Sequence, residues 1–264
     1  MNDTHDRTIP LASAPNLRDL GGIPTENGIV KRGLLYRSAT LSSLTDIDQH
    51  WFATADVRTV YDLRTADEAA ASPDNLPAGT MGRNLDVLAD SPTSVAAGLA
   101  ELAADPGAFA STLANGRGEE LFEETYRDLV RMPSALSAYR SFFLSLIDGD
   151  RQGAALFHCT TGKDRTGWAA ASVLSLLGAD IDDVYDDYLQ TNTDLLPALE
   201  PLLQQAEAHG VEREVLLPVL GVRESYLAAA FAEVDERFGG MRTYAAEGLG
   251  LTDEEIHALS VLLT

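Results

Sequence analysis

His158–Gly167 reads HCTTGKDRTG, and it holds the only cysteine of a 264-residue chain. Just upstream, Ala154–His158 (AALFH) is a short apolar run with the composition of a buried strand. Downstream, Trp168–Leu177 is almost wholly apolar and stops at Gly178, which suits a buried helix with a glycine C-cap. The decad is therefore the turn from the C-terminal end of a strand into the N-terminus of a helix. In α/β sheets ligands collect at that place, and the unpaired N–H groups of a helix N-terminus favour an anion.

Each residue type in the turn has a part in oxyanion chemistry. Gly162 lets the backbone curl, and successive amides from Thr160 to Arg165 (Thr160, Thr161, Gly162, Lys163) can form an anion-binding nest. Arg165 can grip two phosphoryl oxygens with its planar fork. The same positive field should pull the Cys159 pKa well below the usual ~8.5, which makes the thiolate an activated nucleophile. Thr166 can donate to that sulfur, and His158 can orient the loop. A leaving oxygen needs a proton. Asp164, inside the loop, is preferred for this over Asp86, which follows a predicted strand. Lys163 is expected as a positive charge at the pocket rim.

A bare Cys-x5-Arg pair is weak evidence. The competing reading, a structural buried cysteine, leaves the flanking histidine, glycines and threonines unexplained.

Composition narrows the field. With 45% hydrophobic residues the chain can bury a substantial core, and its net charge of −22 disfavours nucleic acid and anionic membranes as partners. A small anion is still admissible, because exposed charges are screened within about 8 Å at physiological salt. One cysteine excludes an internal disulfide framework and fits a reducing compartment. The opening MNDTHDRTIP shows no signal-peptide pattern, so the expected location is cytoplasmic, with export by another route left open. The longest apolar helical run is taken as Trp168–Leu177, too short for a membrane span. Oligomeric state is not legible.

Further strands are expected at Leu34–Arg37, Val57–Leu63 and Gly82–Leu88. Helices are expected at Ser43–Ala55, over Glu119–Ile147 with a break at Pro133, and after Thr252, where Thr252–Glu255 forms a capping box. Asp90–Gly118 reads as loop or weak helices. The alternation implies an α/β sheet flanked by helices in one domain, 1–264.

Several groups have plainer readings. Arg18 and Asp19 divide between a structural role and substrate contact. Arg64 and Glu68 read as a structural ion pair behind the site. The acidic run Asp180–Asp187 lacks calcium-loop spacing and reads as a solvated helix start. The histidines at 5, 50, 209 and 257 show no metal-ligand spacing. Ser172 and Ser175 have no base nearby in sequence. No metal or cofactor is expected.

HCTTGKDRTG closely resembles the HCxxGKDRTG signature of bacterial tyrosine-phosphatase-like enzymes, which include dual-specificity and phosphoinositide-active members. Asn16–Gly22 (NLRDLGG), Gly33–Ala39 (GLLYRSA), Asp62-Leu-Arg64 with Glu68, and Asp187–Asn192 look like further blocks of that family, in order. The resemblance implies a cysteine-phosphatase fold with a central, mostly parallel sheet. It implies Cys159 as nucleophile, Arg165 as phosphoryl ligand, Asp164 as the acid and Lys163 as a contact for anionic head groups. It also implies a helical lid, for which Thr193–Leu220, two amphipathic pieces around Gly210, is the candidate. The expected substrate is a phosphorylated protein, with a phosphoinositide as the alternative. A silent phosphate-binding module is opposed by the intact nucleophile, arginine and carboxylate. A thiol redox enzyme is opposed by the lack of a resolving cysteine.

Overall fold

The computed structural model describes residues 7–91, 101–113 and 116–264. The strands are β1 (Arg18–Asp19), β2 (Pro24–Thr25), β3 (Gly28–Ile29), β4 (Leu35–Ser38), β5 (Val57–Asp62), β6 (Met81–Asn84) and β7 (Ala154–His158). The helices are α1 (Asp46–Thr54), α2 (Ala66–Ala71), α3 (Pro106–Leu113), α4 (Arg117–Arg131), α5 (Pro133–Leu146), α6 (Asp164–Leu176), α7 (Ile181–Ala208), α8 (Arg213–Leu220), α9 (Glu224–Phe238), α10 (Met241–Thr243) and α11 (Asp253–Leu263). A π turn, Tyr244–Gly248, follows α10.

Five strands form one sheet in the order β1-β4-β7-β5-β6. β4, β7, β5 and β6 are parallel, and only β1 runs antiparallel to its neighbour. β7 lies in the middle with every residue buried, as an unbroken apolar strand covered on both faces must be. Ala155 and Phe157 face α4, α5, α6 and α9 in the larger core, while Ala154 and Leu156 face Leu44 and Phe52 on the other side. This fold is α/β, with a mostly parallel sheet flanked by helices.

The elements differ from the sequence expectation mainly at their ends. β6 stops at Asn84 because Asp86 turns the chain, its Oδ1 accepting from Leu88 N at 3.1 Å. α1 starts at Asp46, where Thr45 caps the amide of Asp48. The long helical run breaks at Met132, whose extended backbone hands over to Pro133 at the first position of α5. α6 begins at Asp164, upstream of the apolar run, so Asp164 and Arg165 stand in its first turn. The predicted Asp90–Gly118 segment falls partly outside the described residues; within them α3 is helical.

The lid candidate is two helices. Its first part belongs to the 28-residue α7, and Gly210, at φ +81°, turns the chain toward α8. Leu203, Ala206, Val211, Leu216 and Leu220 pack with Leu102 and Leu113 into a separate small core. Residues 213–238 are a longer apolar stretch than Trp168–Leu177, which corrects the expectation. The stretch is interrupted between α8 and α9 and half buried, as core helices are.

The acidic run is a solvated helix start at Asp180, Asp182 and Asp186, as expected, but its last residue is buried. Asp187, on the inner face of α7, receives Arg7 at 2.8 Å, Arg18 at 3.1 Å and Arg37 at 2.7 Å. Burial raises its pKa, but the three guanidiniums overcome that and hold it far below the usual carboxylate range. Arg18 is itself lowered to about 10 by burial and by Arg37. Replacing Asp187 by alanine would leave three buried guanidiniums without their shared counter-charge. The expected loss is about 3–5 kcal/mol of stability, measurable as a lower urea midpoint at unchanged m-value.

Candidate active site

The loop after β7 is shaped from behind. Gly162 has φ +70°, and a Cβ there would stand 2.3 Å from the Ser38 carbonyl oxygen, so only glycine fits. Asn16 Nδ2 donates to the carbonyls of Thr161 (3.2 Å) and Gly162 (3.0 Å), and Arg37 donates to Gly162 O at 2.9 Å. Thr40 N reaches Thr160 O, and Leu63 N reaches His158 O. With the carbonyls drawn outward, the amides of Thr160, Thr161, Gly162 and Lys163 donate to no acceptor among the described residues. Unengaged amides are what the nest expected from sequence requires.

Cys159 lies at this loop, 2% exposed. Arg165 is clamped by Glu68, with Nη1 to Oε2 at 2.6 Å and Nη2 to Oε1 at 3.2 Å. Glu68 also accepts from Thr160 Oγ1 at 2.9 Å and closes the capping box of α2 through Thr65 N. Burial works against the Arg165 charge, but Cys159 and Glu68 raise its pKa above the ordinary value. Glu68 is lowered to about 2: burial opposes this, and the bond and charge of Arg165 prevail.

His158 holds the loop rather than the substrate. Its Nδ1 is 3.1 Å from Cys159 O and its Nε2 2.9 Å from Asp74 Oδ2. Burial pushes the Asp74 pKa up, but His158 and Arg64 bring it below the ordinary value. Asp62, Asp74 and His158 stand close enough to hold a metal ion. However, Arg64 Nη2 lies 2.8 Å from Asp62 and 2.9 Å from Asp74, so the group already contains its cation.

Three readings from sequence need correction. Arg64 does not pair with Glu68; its partners are Asp62 and Asp74, and Glu68 belongs to Arg165. Lys163 is not at a rim: it is 2% exposed, with Nζ 3.1 Å from Gly221 O, 3.3 Å from Asp164 Oδ1 and 4.0 Å above the Phe122 ring. Burial lowers its pKa, and Asp164 partly restores it. Thr166 Oγ1 is buried without a hydrogen-bond partner, so the expected bond to sulfur is not made; Thr161 Oγ1 is also unpartnered. Of the two roles held open for Arg18 and Asp19, the contacts fit the structural one: Arg18 serves the Asp187 cluster, and Asp19 receives the amides of Gly21 and Gly33.

The two acid candidates are placed differently. Asp164 is buried in the loop's helix start, with Oδ1 3.2 Å from the Tyr126 hydroxyl. Asp86 accepts backbone N–H groups on both oxygens, from Ala66 at 2.9 Å and Leu88 at 3.1 Å. Sequence reasoning missed Asn16, Arg37 and Asp187 as loop supports, although each falls in a block it had marked.

A lone thiol in a loop of unengaged amides, beside a fixed guanidinium, defines the class of cysteine-dependent phosphoric monoester hydrolases. The comparisons agree. The chain belongs to the tyrosine phosphatase family, whose model matches residues 9–264. A Cupriavidus necator protein with the provisional name tyrosine-protein phosphatase H16_A0669 is 32% identical over 247 residues, 93% of this chain and 84% of its own. Triple specificity protein phosphatase PtpB of Mycobacterium tuberculosis is 29% identical over 279 residues, 96% of this chain and 98% of its own. A Nostoc commune tyrosine-protein phosphatase is 28% identical over 86% of this chain and 73% of its own. The protein is a protein-tyrosine phosphatase.

Glu68→Gln should loosen the arginine and lower kcat/KM about tenfold, the worth of one charge-assisted hydrogen bond. Its stability cost has a definite pH dependence. The folded pKa, about 2, lies below the ordinary 4.5, so the stabilisation is complete above the ordinary value and disappears as pH falls through the folded one. Urea melts of wild type and variant should differ most above pH 5 and converge toward pH 2.

Proposed function

We propose that the chain, acting as a single domain, hydrolyses phosphotyrosine on proteins in two steps through a phosphocysteine at Cys159. The observation that carries this is the set of unengaged amides from Thr160 to Lys163 beside a buried thiol. In the first step the Cys159 thiolate forms the S–P bond as the P–O bond to the leaving oxygen breaks. That oxygen keeps the bonding pair and takes the proton of Asp164. The amides and Arg165 stabilise charge on the equatorial oxygens.

In the second step a water oxygen bonds to phosphorus and the S–P pair returns to sulfur. The water's proton goes to the Asp164 carboxylate, and phosphate leaves. Thr161 and Thr166, whose hydroxyls have no partner, are available to phosphoryl oxygens. Asp164 is favoured over Asp86 because the latter's oxygens are both engaged by backbone amides.

The depth of Cys159 favours an aryl phosphate, since a phosphotyrosine side chain reaches farther than phosphoserine. The name of the Mycobacterium tuberculosis relative supports a wider range of phosphomonoesters as a second activity. The phosphoinositide alternative came from the family resemblance, and the buried Lys163 ammonium offers it no head-group contact at the rim.

Cys159→Ser should abolish release of 4-nitrophenol from 4-nitrophenyl phosphate while retaining vanadate binding. Arg165→Ala should lose both, with kcat/KM down by about a hundredfold or more. EDTA should leave wild-type turnover unchanged. Wild-type turnover by the serine variant would refute the nucleophile.

A further inference from the structure

The geometry points to Tyr126, backed by Tyr188, as a positioning residue that engages Asp164 Oδ1 and leaves Oδ2 to carry the transferable proton. This rests on the reading of Asp164 as the general acid. The Tyr126 hydroxyl donates to Asp164 Oδ1 at 3.2 Å, and the Tyr188 hydroxyl donates to the Tyr126 oxygen at 2.7 Å. Lys163 Nζ stands 3.3 Å from the same Oδ1. Two donors therefore face one carboxyl oxygen, which disfavours a proton there. Among the described residues no donor reaches Oδ2.

The arrangement is built into the packing. Both tyrosines are fully buried, and their hydroxyls would be costly there without partners. A Cβ on Gly167 would stand 3.1 Å from the Tyr188 ring and 3.7 Å from the Tyr126 hydroxyl. A glycine in the first turn of α6 thus admits the two rings beside Asp164. The Tyr126 and Tyr188 rings meet edge to face at 6.0 Å, and Tyr226 packs against Tyr126 from α9.

The titratable and charged groups around Asp164 are Lys163, Arg165 and Cys159 from the loop and α6, Tyr126 from α4, Tyr139 from α5, Tyr188 from α7 and Tyr226 from α9. Burial, with the neighbouring tyrosine and Asp164, raises Tyr126 well above the ordinary tyrosine pKa, and burial with Asp164 does the same for Tyr188. Both therefore remain protonated donors through the working range.

The test compares leaving groups. Phenyl phosphate needs its leaving oxygen protonated, whereas 4-nitrophenyl phosphate needs it much less. Tyr126→Phe should lower kcat/KM about tenfold for phenyl phosphate but less than about threefold for 4-nitrophenyl phosphate. The basic limb of its kcat profile should move to higher pH, because a carboxylate that loses a donor protonates more easily. Tyr188→Phe should show the same pattern more weakly, and should decide the matter if Tyr126→Phe fails to fold. In an Asp164→Asn background, Tyr126→Phe should add nothing further. Equal losses on both substrates with an unmoved pH profile would overturn the positioning role and leave Asp164 as the acid. An Asp164→Asn enzyme insensitive to the leaving group would overturn the acid assignment, and the present inference with it.

Discussion

Holding the carbonyls of Thr161 and Gly162 outward is the constraint on which the site depends, because only then do the loop's amides stay free for an anion. The donors that do it, Asn16 and Arg37, come from segments far from the loop in sequence, and each is fixed in turn. Arg37 is pinned by Asp187 at 2.7 Å. Asn16, in the left-handed region at φ +61°, receives Arg18 on its side-chain oxygen. Arg18 and Arg37 meet at the same Asp187 carboxylate. One acidic side chain on α7 thus fixes the back of the phosphate loop through two arginines.

The electrostatics follow from that arrangement. Behind the loop three guanidiniums, Arg7, Arg18 and Arg37, face two carboxylates, Asp187 and Asp194. Asp19 and Asp183 also act on Arg7, so charges of both signs meet there, and the buried ones are screened far less than in water. At the front, Arg165 is matched by Glu68 and Lys163 by Asp164. With Asp164 ionised both pairs are neutral, and a proton on Asp164 leaves Lys163 as net positive charge beside the loop, where the amide dipoles add to the attraction for a dianion. The chain's net charge of −22 sits mostly on exposed carboxylates, too distant and too screened to cancel that local field.

Much of this was legible in the sequence because the decisive signal is local. A buried strand, a glycine-bearing loop and a helix start fall within 24 consecutive residues, Ala154 to Leu177, and their order sets the chemistry. What escaped depends on long-range packing. Arg64 and Glu68 are four apart, as a helical pair would be, but α2 starts after the Thr65 cap. Arg64 therefore lies outside the helix and turns to Asp62 and Asp74. Asp187 had a readable signal: it shares the buried stripe Val184, Asp187, Tyr188, Thr191, with helical spacing. A carboxylate on an apolar stripe demands buried cations. Lys163 gave no such warning, since the Phe122 ring and Gly221 carbonyl that cover it are distant in sequence.

α7 links the two sides of the site through its register. Near its start Asp187 fixes the arginines behind the loop, and Tyr188 meets Tyr126 beside Asp164. Five residues beyond Asp187, Asn192 grips Val222 on both its N–H, at 2.8 Å, and its carbonyl, at 3.0 Å. That pair sets the junction between α8 and α9, whose Gly221 carbonyl receives Lys163. Gly221 must itself be small, since a Cβ there would stand 2.6 Å from Asn192 Oδ1. Further along, Leu203 and Ala206 anchor the same helix to α8. Each helical residue advances about 1.5 Å and turns about 100°, so a one-residue slip would move Asp187, Tyr188 and Asn192 off their partners together. The loop after β7, Asp164 and the α8–α9 junction are therefore held in common by the seating of one helix.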